Sequence, residues 1–94
     1  MANKKSTDPL GEVRKAVGTK KFVIGAGRTM KELMRGNVAK VFITENCAED
    51  VKEDLAIHAS AGKVPIEELP VPNDELGTIC KKLFAISVVC LLKD

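Results

Sequence analysis

Ninety-four residues suit one compact domain and leave no room for a separate cofactor-binding unit. A hydrophobic share of 45% excludes a disordered chain, while three Phe without Tyr or Trp exclude the aromatic stacking platforms of many single-strand RNA binders. The net charge of +2 conceals a division: residues 1–44 carry ten Lys or Arg against three acids, residues 45–78 two against nine, and residues 79–94 three against one.

Residues 1–8 read as a flexible basic leader, with lysines but no apolar stretch behind them, and residues 9–94 as a single α/β domain. Ser6-Thr7-Asp8 offers helix caps and Pro9 suits a first helical position, predicting a short helix from about Pro9 to Val17 that stops at Gly18. Lys21 to Ile24 is a short apolar strand that runs into Gly25-Ala26-Gly27, a glycine turn. Met30, Leu33 and Met34 recur at helical spacing within Arg28–Arg35, and Gly36-Asn37 closes that helix.

Val41 to Thr44 is the next strand. Asp50 to Ala61 places Val51, Leu55, His58 and Ala59 on one stripe, predicting an amphipathic helix stopped by Gly62. Pro65 to Leu69 reads as an edge strand, and Pro70 to Pro72 as a rigid connector. Asn73 is the natural cap of a helix whose first turn carries Asp74 and Glu75 and whose apolar face is Leu76, Ile79 and Cys80. Phe84 to Leu92 is nearly continuous in apolar residues, as a central strand covered on both faces would be. Alternating helices and strands predict a three-layer α/β/α sandwich on a four-stranded mixed sheet.

Catalytic and metal chemistry find little footing. Cys47, Cys80 and Cys90 lack CxxC spacing, and His58 is the single histidine, so the cysteines read as buried reduced thiols of a cytoplasmic protein and no metal or other cofactor is expected. Glu49, Asp50, Glu53 and Asp54 read as a solvated helix face. A dinucleotide GxGxxG would need glycine where Met30 stands; the Walker, GxxG and aromatic RNA-strand patterns are likewise missing. The expected protein is not an enzyme.

The segment Phe22 to Lys31 is more informative. A strand, a glycine turn and a helix start put unpaired N–H groups and a positive dipole end where an anion fits, with Arg28, Thr29 and Lys31 projecting from the first helical turn. A purely structural turn is the competing reading. If this edge meets Lys81 and Lys82, the fold gains a basic face fit for phosphates opposite an acidic one; otherwise both are solvated surfaces.

Three segments carry a family resemblance: Gly25-x-x-x-Thr29-Met30-Lys31 followed by Arg35-Gly36, then Thr44-Glu45-Asn46-Cys47, then Asn73-Asp74-Glu75-Leu76-Gly77-Thr78-Ile79-Cys80. In this order and spacing the chain resembles the kink-turn-binding ribosomal protein superfamily of L-seven-Ae and L-thirty-e type, and its L-thirty-e branch in particular, from about Gly11 to Leu92. The resemblance implies an α/β/α sandwich that grips a sharply kinked RNA at tandem G·A pairs. It places Gly25, Gly27, Arg28, Thr29 and Lys31 in the RNA-facing turn and helix start. It also places Glu75, Leu76 and Gly77 in the later helix, and Lys82, Leu83, Phe84 and Ala85 in a second RNA-facing loop, beside which Lys81 adds charge. Two positions depart from the pattern: Gly27-Arg28 stands where the L-seven-Ae branch has Asn-Glu, and Lys81 where the L-thirty-e branch has glycine.

The expected function is therefore an RNA-binding structural component of the large ribosomal subunit, monomeric when free, cytoplasmic and without membrane contact. A non-ribosomal kink-turn ribonucleoprotein subunit and a protein-interaction adaptor of the same fold are the alternatives.

Overall fold

The computed structural model describes residues 9–93, so the leader 1–8 lies outside the described residues. In chain order the elements are α1 (Pro9–Ala16), β1 (Phe22–Ile24), α2 (Ala26–Arg35), β2 (Val38–Thr44), α3 (Glu49–Ala61), β3 (Ile66–Leu69), α4 (Asn73–Ile79) and β4 (Val88–Leu92). The sheet order is β1-β4-β2-β3, with β4 antiparallel to both neighbours and β2 parallel to β3. The last strand of the chain thus lies inside the sheet, where Cys90 pairs with Val23 on one side and Val41 on the other.

Side chains alternate across this sheet with a period of two, so each central strand feeds two cores. Val41, Ile43, Val88 and Cys90 pack against Leu33 of α2 and Leu55 and Ala59 of α3. Phe42, Val89 and Leu69 face the opposite way, onto Val13 of α1 and Leu76 of α4. Burial on both faces explains why β4 and residues 41–43 of β2 are apolar throughout, and the three-layer mixed-sheet architecture is the expected one.

Boundaries moved where tertiary contacts outweigh local pattern. Strand β2 starts at Val38, three residues before the apolar run, because Lys40 is accommodated: its Nζ lies 2.8 Å from Glu12 Oε1 and 3.6 Å from Glu67 Oε1, and 5.4 Å from the centre of the Phe42 ring. Burial disfavours the Lys40 ammonium, but the hydrogen bond to Glu12 and the charges of Glu12 and Glu67 outweigh it and hold its pKa above the ordinary lysine value. The triad ties α1 to the β3 side of the sheet.

Strand β4 starts at Val88 rather than Phe84, leaving residues 84–87 as a loop. In that loop the Ile86 N–H donates to the Asn73 carbonyl, and the Ser87 carbonyl accepts from Thr44 N–H, at 3.0 Å each. Leu83 and Phe84 are thrown out into solvent.

Three helices end in one hydrogen-bond pattern, in which the N–H of the left-handed residue and of its successor reach back to carbonyls of the last turn. Gly36, at φ 75°, closes α2 through bonds from Gly36 and Asn37 to Leu33 and Glu32. Lys63, at φ 57°, closes α3, with Val64 completing the pair. Lys81, at φ 62°, closes α4, with Lys82 donating to Gly77. Gly62 was the expected stop of α3, yet its φ of −93° is ordinary and the left-handed residue is the lysine that follows it. A left-handed non-glycine residue costs about 1 kcal/mol.

Candidate nucleic-acid interface

The end of β1, the start of α2 and the loop before β4 enclose a groove of about 490 Å³, lined on one side by Ile24, Gly25, Ala26 and Arg28 and on the other by Lys82, Phe84, Ala85, Ile86 and Ser87. Cys47, Ala48 and Val51 close its end. The two segments singled out from the sequence therefore do converge.

Gly25 makes the sharp entry possible. At φ 109° and ψ 143° it lies close to a region open essentially to glycine alone, and its N–H donates to the Val88 carbonyl at 2.8 Å while its carbonyl receives Thr29 N–H at 3.0 Å. Space is not the constraint, because a Cβ on Gly25 would meet nothing within 4 Å. One glycine completes the turn. The helix accordingly begins at Ala26, and Gly27 sits inside its first turn, not in the turn before it.

Electrostatics separate this helix start from the others. No side chain caps α2 and its first turn holds no acid, whereas α3 opens with Glu49 and Asp50 and α4 with Asp74 and Glu75. The unpaired N–H groups and dipole of α2 are left for an anion, and Arg28 beside them is exposed. Arg28, Lys31, Lys81 and Lys82 have no carboxylate partner among the described residues.

The candidate residues sort by position. Gly25, Arg28, Lys82, Phe84 and Ala85 line the groove. Gly27 and Lys31 are exposed on α2 beside it, and Leu83 forms the tip of the opposite loop. Three candidates turn inward instead. Thr29 is fully buried, so its hydroxyl does not reach a phosphate; its polar neighbour is the Cys90 thiol, and among the described residues the hydroxyl has no hydrogen-bond partner of good geometry. Leu76 is likewise fully buried as part of the core under α4.

Gly77, also buried, serves the loop: a Cβ there would overlap the Phe84 carbonyl, so only glycine lets the chain cross α4 at this point. Glu75 is exposed in the first turn of α4 and does not line the groove.

Sequence reasoning missed what holds the loop. Asn73 was expected to cap α4 through its own side chain, but that side chain is engaged elsewhere: its Oδ1 accepts from Asn46 Nδ2 at 3.2 Å and its Nδ2 donates to Ser87 Oγ at 3.5 Å. Asn46 Oδ1 takes the Asn73 N–H at 2.9 Å and also accepts from Thr44 Oγ1 at 3.1 Å. The helix is thus capped from another element, and the end of β2, the start of α4 and the loop before β4 are latched together. The signal was present in the Thr44–Cys47 and Asn73–Cys80 segments, but nothing local says that two asparagines 27 positions apart meet.

Cys47, Cys80 and Cys90 are free and buried, and burial pushes all three thiols up, which leaves them neutral and poorly nucleophilic. His58 Nδ1 lies 2.9 Å from the Asp54 carbonyl of its own helix.

Residues 8–94 match the family described as ribosomal protein L7Ae/L30e/S12e/Gadd45. The chain belongs to this family. Among its relatives, large ribosomal subunit protein eL30 of Methanococcus vannielii is 34% identical over 93 residues, covering 99% of this chain and 89% of the relative. The eL30 proteins of Methanococcus maripaludis and Methanocaldococcus jannaschii are 32% and 28% identical, covering 99% and 100% of this chain and 88% and 86% of theirs.

The fold is shared with a Giardia lamblia 15.5kD RNA binding protein, with a TM-score of 0.78 at 22% identity over 100% of this chain and 79% of that one. A protein of unknown function from Bacillus halodurans has the same fold, with a TM-score of 0.72 at 18% identity over 89% of this chain and 80% of that one.

Proposed function

We propose that this protein is an RNA-binding structural component of the large ribosomal subunit, acting in the cytoplasm by binding rather than catalysis, and that it selects kinked RNA of the kink-turn kind. The observation that carries this reading is the convergence of the uncapped, acid-free start of α2 with the Lys82–Ser87 loop on one groove. Relatives named eL30 cover nearly the whole chain and support the ribosomal assignment.

The groove suits this task physically. Arg28, Lys31 and Lys82 supply charge for phosphates, while the N–H groups of α2 need close backbone approach, which Gly27 permits by presenting no side chain. Folded RNA is read by shape and by extruded bases more than through its deep groove. Exposed Phe84 and Leu83 offer apolar surface for such a base. The acid-free first turn of α2 favours RNA over an adaptor that would receive a basic protein partner.

Affinity for a kink-turn RNA and for the same RNA with its G·A pairs replaced by Watson–Crick pairs tests the reading. A preference of about a hundredfold, or 2.7 kcal/mol, is expected. Equal, steeply salt-dependent binding would reduce the site to a generic basic face. Reversing both charges, Arg28→Glu with Lys31→Glu, is expected to weaken binding by about 2 kcal/mol or more without unfolding the domain, because both side chains are exposed.

A further inference from the structure

A second concavity, of about 450 Å³, adjoins the groove described above and shares Ile24, Arg28 and Lys82 with it. Its walls are the α1–β1 turn at Gly18 and Thr19, and the end of α4 at Lys81 and Lys82, with Arg28 between them. We infer that this is a second RNA site, a track for the phosphodiester backbone running on from the kink, and that Lys81 and the α1–β1 turn are its specific parts. The inference rests on the proposed RNA-binding function.

Three observations carry it. Among the described residues no Asp or Glu lines the concavity, so Arg28, Lys81 and Lys82 present positive charge to whatever enters. Lys20, next to Thr19 in the same turn, is exposed and adds a fourth positive charge nearby. Third, Lys81 occupies a left-handed position, φ 62°, where glycine closes the equivalent end of α2 without strain. A lysine held against its backbone preference, with its side chain on a cationic concavity, is strain located at a binding surface.

Arg28 and Lys82 line both hollows and connect them. An RNA whose kink sits in the first groove would carry its backbone past Arg28 into the second. There phosphates meet Lys81 on one wall and the α1–β1 turn on the other.

Lys63 is an internal control. It is also a left-handed lysine at the end of a helix, φ 57°, but lines neither concavity. Lys81→Gly and Lys63→Gly should both raise the unfolding temperature. Binding of a kink-turn RNA with a full duplex on each side of the kink should separate them.

Lys81→Gly is expected to lower affinity about five- to tenfold and to reduce the slope of log affinity against log salt by about one, the signature of one lost phosphate contact, while Lys63→Gly changes neither. From the opposite wall, Thr19→Glu is expected to bind at least fivefold more weakly than Thr19→Gln, which has the same size without the charge. Wild-type affinity and salt slope for Lys81→Gly, or equal binding by the two Thr19 variants, would overturn the second site while leaving the first intact, provided the Arg28 and Lys31 reversal still weakens binding as expected above. Failure of the unaltered protein to bind this RNA would remove the parent reading and this site together.

Discussion

The two walls of the groove are built in different ways. On the β1–α2 side, a single backbone conformation at Gly25 sets the entry, and the sheet ladder from Val23 to Cys90 anchors it directly to the core. On the other side, the Lys82–Ser87 loop has no ladder of its own; it rests on a glycine crossing at Gly77 and on the Asn46–Asn73–Ser87 latch. The lesson is that a binding wall can be fixed either by what one residue's backbone is allowed to do or by what distant residues leave room for. The first kind is visible in a local sequence window and the second is not.

The loop wall should be the easier to break. Gly77→Ala would force the Phe84 carbonyl away from α4 and is expected to cost about 3 kcal/mol, because the obstructing atom belongs to the backbone and cannot swing aside. Urea unfolding measures the loss, and a cost below about 1 kcal/mol would mean that the loop is free to shift.

Gly25→Ala attacks the other wall and is expected to cost about 2 kcal/mol, all of it conformational, since the added methyl meets open space. D-alanine at position 25, introduced by chemical synthesis, should recover most of that stability. If the D and L forms were equally unstable, backbone conformation would not be what fixes this wall.

Asn46→Ala removes the acceptor of the Asn73 N–H and one side of the latch, with an expected loss of about 1 kcal/mol. Hydrogen exchange should quicken at the amides of Asn73 and Ile86, while the amide of Gly25 on the opposite wall stays protected. Equal quickening at all three would show that the two walls are not held separately.

The smallest effect has opposite signs on its two readouts. Gly27→Ala places a better helix former in the first turn of α2, in open space, and should stabilise the domain by about 0.5–1 kcal/mol. The same methyl should weaken RNA binding if the ligand approaches the helix start closely. A variant both stabler and equally tight would place the RNA farther from Gly27 than proposed.

Much of the fold was legible because it depends on patterns that span only a few residues. Val51, Leu55 and Ala59 at helical spacing pointed to an amphipathic helix, the short apolar run at Val41 to a strand, and the nearly continuous apolar run around Val88 to a strand covered on both faces. Gly25 and Arg28 could be placed at the strand-to-helix turn because a glycine between an apolar strand and a helix suits a sharp turn. Misplacements arose where a distant contact replaced a local one: Lys40 inside β2, Lys63 in the role expected of Gly62, and Thr29 turned into the core.

The sequence by itself determined the alternation of elements, the segregation of charge and the position of the helix start that follows the glycine turn, because each follows from residues adjacent along the chain or one helical turn apart. Only the tertiary structure decided that Lys81 and Lys82 stand beside Arg28, that Asn46 caps α4, and that Gly77 serves the loop rather than the ligand. The reason is physical. β4 lies inside the sheet between β1 and β2, and this pairing of distant segments brings the last loop of the chain against the first glycine turn.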